Sequence, residues 1–222
     1  MRMPRAARLA ALPLLLISAS ALAEQGALSV EAGGGVVLER VPAPYVAGSS
    51  GVVGSAATIR AGVRYAVTHS LEVTGTFAWT PPVSFFHNGV SVTAANGDGP
   101  FAGTLQHRLS GQSVSVGGRY LLGMVWRPFV GLELGWAHRS FAGFQHIDDS
   151  DPSNPHAYAL TLNDVSAHAL LVAPVAGLEW VGDRISVSLA PRLELLAGSH
   201  STWSFAIPLV VGWDFYLPRW KH

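Results

Sequence analysis

The chain has 222 residues, 13% of them charged, with 24 glycines, no cysteine and a formal charge of zero. An ordinary soluble domain carries about 25% charged residues, so this composition is unusually poor in charge. Without cysteine there is no disulfide scaffold or thiolate metal site; the balanced charge offers nucleic acid no basic face; and a chain that is 49% hydrophobic is not a disordered one.

Residues 1–23 read as a cleaved N-terminal signal peptide. Arg2, Arg5 and Arg8 form the positive segment, Leu9 to Ile17 the apolar segment, and Ala21-Leu22-Ala23 the cleavage site. The apolar stretch is too short to span a bilayer, and beyond it no run approaches the ~18 apolar residues of a membrane helix. The mature chain, residues 24–222, is then expected to be one exported domain. It has no cysteine to carry a lipid anchor.

That domain alternates with a period of two, the signature of β-strands with two unlike faces. In the first strand Leu28, Val30, Ala32, Gly34, Val36 and Leu38 oppose Ser29, Glu31, Gly33, Gly35, Val37 and Glu39. In the second, Ile59, Ala61, Val63, Tyr65 and Val67 oppose Thr58, Arg60, Gly62, Arg64 and Ala66. The third sets Leu71, Val73, Gly75, Phe77 and Trp79 against Glu72, Thr74, Thr76, Ala78 and Thr80. Similar patterns follow over 113–122, 130–137, 169–180, 185–195 and 203–215. Eight strands result. Short turns are expected at 68–70, 123–127 and 181–184, and longer links at 41–55, 81–110, 142–163 and 198–202. Within 81–110, Val90-Ser91-Val92 and Phe101 to Leu105 look partly extended. An even strand number with short connections on one side and long ones on the other suits an all-β, eight-stranded antiparallel up-and-down transmembrane β-barrel.

The unlike faces assign inside and outside. The apolar face is nearly free of charge, and its aromatics fall at two heights: Tyr65, Tyr120, Trp126, Trp180 and Phe215 near the short turns, Trp79, Trp136 and Trp203 near the long links. Two such girdles are expected at the two membrane interfaces. The other face is mostly Gly, Ala, Ser and Thr, small enough for a narrow lumen. It also carries Arg60, Arg64, Arg119, Arg139 and Arg192 with Glu31, Glu39, Glu72, Glu133, Glu179, Glu194 and Asp214. Buried charges need partners, so these residues should form a polar lumen network, either a structural plug or an ion path. The glycines at 33, 35, 117, 131, 135 and 177 leave open whether the lumen conducts. Pro174, Pro191 and Pro208 interrupt strands, where a ladder hydrogen bond is lost. Pro174 and Pro191 are expected opposite each other, at a bulge or kink.

The pattern of the mature chain resembles the small eight-stranded outer-membrane barrels of Gram-negative bacteria, the OmpA, OmpX and OmpW types. The segment Gly212-Trp213-Asp214-Phe215-Tyr216-Leu217 resembles their terminal assembly signal, although Val210 replaces a usually polar residue and Pro218 to His222 extend past the usual aromatic end. The resemblance implies an integral outer-membrane location among outer-membrane lipids and lipopolysaccharide. It also implies assembly machinery that recognises the C-terminal strand. No cofactor is implied.

Two clusters invite chemistry. His146, Asp148, Asp149, Asp151 and His156 form a loop group of imidazole and oxygen donors, without a recognised metal-ligand spacing. His87, His107, His138 and His200 also fall in or near long links. Ser166 and His168 share a lipid-facing strand end with Asp164, the elements of a relay for an outer-leaflet lipid A-modifying enzyme. No Gly-x-Ser-x-Gly or His-Glu-x-x-His motif is present. The leading expectation is a non-enzymatic barrel with four external loops, serving envelope integrity, surface interaction or small-solute passage. A narrow OmpW-like channel and the lipid enzyme are the alternatives.

Overall fold

The computed structural model describes residues 26–44, 46, 51–92, 101–148, 156–159, 162–198 and 201–216. The signal peptide, the residues from Leu217 to His222, and Asp149, Asp151 and His200 lie outside them. Every regular element among the described residues is a strand: β1 (Ala27–Val41), β2 (Val52–Ala66), β3 (Leu71–Val92), β4 (Phe101–Leu121), β5 (Trp126–Asp148), β6 (His156–Ala159), β7 (Val165–Val181), β8 (Ile185–Leu189), β9 (Arg192–Gly198) and β10 (Thr202–Tyr216).

These form an eight-walled antiparallel ring. Neighbouring strands pair in chain order from β1 to β5; β5 pairs with β7, β7 with both β8 and β9, those two with β10, and β10 with β1. β8 and β9 are one wall, interrupted at Ala190-Pro191. Their register with β7 places Leu189 opposite Leu178 and Arg192 opposite Val175. Pro191 therefore lies by Ala176, whose N–H donates to the Pro191 carbonyl at 3.1 Å, and Pro174 pairs instead with Leu132 of β5. The two prolines are not opposed, because the β7–β8 turn closes between Gly182 and Ile185, one residue further along than expected.

The walls differ in height. β1, β2 and β10 have 15 residues each, but β3, β4 and β5 have 22, 21 and 23. A tilted strand crosses the bilayer in about 9–11 residues. So β3, β4 and β5 rise well beyond the membrane as a β-tower, with β6 added to the upper end of β5. With short turns on the periplasmic side, as in barrels of this kind, the tower is external. Much of what the alternation assigned to links at 81–110 and 142–163 is thus strand. Trp126 and Arg127 likewise open β5 rather than closing a turn.

Across the membrane the outer surface is apolar. Val30, Ile59, Val63, Val73, Phe77, Val116, Leu132, Leu134, Leu178, Leu209 and Val211 all stand exposed. A continuous apolar belt of this kind is untenable in water and is satisfied by lipid. Tyr65, Tyr120, Trp126, Trp180 and Phe215 project outward near the short turns, and Trp79, Trp136 and Trp203 outward at the opposite height. Register fixes those levels: Tyr65 and Phe215 both face Leu28 across its two neighbours, and Trp126 faces Trp180.

The strands change character as they leave the belt. In β3 the alternation holds to Thr80, then a register shift at Pro81-Pro82 inserts a bulge. Proline has no N–H to give a ladder, so a bulge accommodates the pair. The extra residue reverses the parity, and Val83, Phe85 and His87 turn inward. In β5 a second shift surrounds Gly143, whose φ of 62° lies in the left-handed region open to glycine. Beyond it Phe144 and His146 face inward.

Candidate functional site

The lumen is filled in layers. Lowest, near the short turns, Glu179 is fully buried and accepts from Arg64 at 2.5 Å, Arg127 at 2.6 Å and Arg119 at 3.2 Å. Glu72 bridges the same three guanidiniums at 3.4, 3.7 and 2.6 Å. Arg64 also pairs with Glu31, lies 3.8 Å from Asp214, and donates to the Ser186 hydroxyl at 2.6 Å. Ser29 donates to Asp214. Eight strands contribute, one from each wall, so the cluster ties the ring together across its diameter. Such a network survives in a low-dielectric interior because each charge is compensated on several sides.

A second layer stands above it. Arg60 meets Glu194 at 2.6 Å, and Arg192 meets Glu133 and Glu194 at 2.9 Å each. Ser115 donates to Glu133 at 2.6 Å and Ser204 to Glu194 at 3.0 Å. Arg139 and Glu39 form a further pair at 3.0 Å. All twelve ionic residues expected on the inner face are found there, each in an ion pair. Arg127 is a thirteenth that the sequence reading missed. Its signal was present in the pattern: 127 has the parity of Gly131 and Glu133, and only the assumption of a turn hid it.

Between the layers is a cavity of about 60 Å³ lined by Glu31, Arg60, Thr76, Arg119, Glu133 and Arg192, among others. That is room for a few water molecules at about 10–15 Å³ each. Gly62 and Gly131 line this space, whereas the other inner glycines mark close backbone approach. A Cβ at Gly33, Gly35, Gly117, Gly135 or Gly177 would press into a carbonyl of the neighbouring strand. Glycine is there because the strands of this narrow, strongly coiled barrel crowd one another on the concave side.

Above both charged layers the lumen turns apolar. Val41, Phe85, Leu105, Leu109, Phe141, Phe144 and Ala167 form a buried cluster inside the base of the tower, with Val46, Val52, Val83, Val90, Leu162 and Val165 packed around it. His87 and His107 are buried within this cap, their Nε2 atoms 2.9 Å apart. Their ring centroids are 5.1 Å apart with planes 22° apart, the spacing of two rings pointing nitrogen to nitrogen along one line. One Nε2–H therefore donates to the other Nε2, and no ion fits between. Phe85, Phe141 and Phe144 surround the His107 ring at 5.5–6.2 Å. Burial lowers the affinity of both rings for a proton, and His107, beside His87, falls to about 4.

Of the histidine–acid group around His146, Asp149 and Asp151 lie outside the described residues, while Asp148 pairs in register with His156. His146 is fully buried on the inner face of β5, not in a solvated loop, and the β5 bulge at Gly143 explains the inward turn. Among the described residues, no group of three or more His, Asp or Glu side chains is placed to hold a metal. On the outer face, Ser140 pairs in register with Ser166 and His138 with His168. His168 stacks on Trp136 at 5.2 Å and lies 4.8 Å from the His138 ring. Asp164 instead accepts the Gly143 N–H at 3.3 Å. The geometry gives an aromatic ladder at the upper girdle, with Asp164 turned to β5.

This is the fold of the small integral barrels of the bacterial outer membrane, and its lipid-facing surface fits that location. Among solved structures, the chain is similar to Ail, the attachment invasion locus protein of Yersinia pestis, crystallised with the heparin analogue sucrose octasulfate; TM-score is 0.52 at 14% identity, over 86% of this chain and 100% of Ail. It is also similar to Neisserial surface protein A, with TM-score 0.54 at 10% identity, over 86% of this chain and 99% of the other. No family model matches the chain, and no curated protein matches it in sequence.

Proposed function

We propose that this protein is a sealed, non-enzymatic outer-membrane barrel that works through its external β-tower, as a rigid surface for contacts outside the cell. The carrying observation is the filled lumen. A permeating ion would have to cross the Arg64–Glu72–Glu179 cluster, the Arg60–Glu194–Arg192 layer and the apolar cap in turn. The last is the least permissive, since Leu105, Leu109 and Phe141 are buried there and offer an ion no polar group. The long β3–β4–β5 extension supports the second half of the reading: paired strands hold a surface more rigidly than an open loop.

Reconstitution into a planar bilayer tests it. The expected trace at neutral pH shows no discrete conductance steps. Reproducible ohmic steps that disappear when the protein is omitted would overturn the sealed-barrel reading in favour of a narrow channel. For the enzyme alternative, the measurement is lipid A mass spectrometry on overexpression, with no change in acylation expected. A new acylation pattern lost in His168→Ala would overturn the non-enzymatic reading.

A further inference from the structure

The external cap contains a polar device that its packing does not require. A cap of Val, Leu and Phe would exclude water without histidines. Here two imidazoles from adjacent strands meet head-on inside it, His87 on β3 and His107 on β4. With both neutral, the bond is satisfied: one Nε2–H donates and the other Nε2 accepts. We propose that the His87–His107 pair is an acid-sensitive lock, which holds the base of the tower shut at neutral pH and releases β3 and β4 above the bilayer when the pair takes up protons, leaving the membrane ring intact.

The proton chemistry follows from the geometry. A first proton from water can enter only at the Nδ1 of the donating ring, which keeps the bond but places a positive charge among Phe85, Phe141 and Phe144. A second must take the Nε2 lone pair that accepts the bond. Two N–H groups then face each other on two cations 2.9 Å apart. Opening the cap to water removes both penalties. Few other charges face the pair. From β4, Arg108 points outward; from β5, His146 shares the inner face, and Arg139 lies below in its pair with Glu39 of β1; β2 and β7 contribute Val52, Val165 and Ala167. Each ring binds its proton less readily in the closed cap than in the open chain, so closure is fully stabilised above about pH 6.5, the ordinary imidazole value, and weakens as pH falls toward about 4.

Hydrogen exchange by mass spectrometry on the full mature chain in lipid nanodiscs reads this out, with rates corrected for the intrinsic pH dependence of exchange. Opening of 83–90 and 103–109 should rise about tenfold per pH unit for each proton taken up between pH 6.5 and 4.5. Protection of 72–79 and 113–120 should hold. The double variant His87→Leu/His107→Leu should remove the pH dependence while keeping the cap closed. His107→Gln keeps a hydrogen-bonding partner for His87 with one fewer titrating ring, so its slope should fall by one proton even if the double variant does not fold. Constant wild-type protection over this range, or an unchanged slope in either variant, overturns the proposal.

Discussion

The charged lumen and the external cap are both buried interiors, yet they are built from opposite residues. Around Glu179 the ring is held by guanidiniums and carboxylates; around Phe141 it is held by side chains of an ordinary soluble core. What differs is the medium outside. Where lipid surrounds the strands, apolar residues belong outward and the lumen receives what remains, small and polar side chains. Above the bilayer, water surrounds the same strands, and burial again favours apolar residues inside. β4 shows the change without any break. Its inner face runs Arg119, Gly117, Ser115 and Ser113 in the membrane and Leu109, His107 and Leu105 above it, while its outer face changes from Tyr120, Val116 and Val114 to Gln112 and Arg108. One strand is inside-out at one end and conventional at the other.

The contrast can be broken at its strongest point first. Glu179→Gln leaves Arg64, Arg119 and Arg127 gathered with their central carboxylate gone. Removing one partner of a buried ionic group costs about 3–5 kcal/mol. Reversible urea unfolding from liposomes should register that loss across the whole barrel. A loss under about 1 kcal/mol would mean that the lower layer is incidental rather than structural.

Phe85→Ala attacks the other region. Emptying a buried phenylalanine site costs about 3 kcal/mol or more. Because the cap stands clear of the membrane ring, the damage should be confined. Protease added from outside should cut within 83–109, while gel mobility of the unheated barrel stays that of the folded form. Collapse of both together would mean that the two regions are one cooperative unit.

A finer comparison uses one substitution at two heights. Val63 is 49% exposed in the lipid belt and Phe86 is 49% exposed on the tower. Val63→Arg should cost about 2 kcal/mol or more in bilayers, as for a charge placed toward the hydrocarbon midplane. Phe86→Arg, in water, should stay within about 0.5 kcal/mol. Equal penalties would place the membrane boundary elsewhere.

These two media also explain what could be read from the residues alone. Between the girdles the lipid imposes a strict pattern, so the eight walls, their facing and the twelve inward ionic residues follow from alternation. Above Trp79 the rule reverses. The same period-two reading that was sound at Phe77 would have sent Phe85 outward, and the Pro81-Pro82 bulge turns it in. Bulges are set by local backbone geometry, which a hydrophobic pattern does not encode. Arg127 was lost at the other boundary, where strand and turn share a composition. The inner glycines are ambiguous for a different reason: a missing side chain signals either open space or close backbone approach, and the packing of the neighbouring strand separates the two.

The β1–β10 seam sets the order in which the molecule can be made. Its partners come from opposite ends of the chain, with Ser29 and Asp214 185 residues apart. Every other wall pairs with a strand close by in sequence, so the seam forms last and carries the largest loop-closure cost. Until β10 arrives, β1 and the β8–β9 wall each present a free edge, and a free edge is tolerated in water but not in hydrocarbon. Insertion and closure are therefore expected to be coupled for this chain. A nascent sheet that entered the bilayer early would have nowhere to place its unpaired amides, and one that closed early would have to force a finished ring through the headgroups.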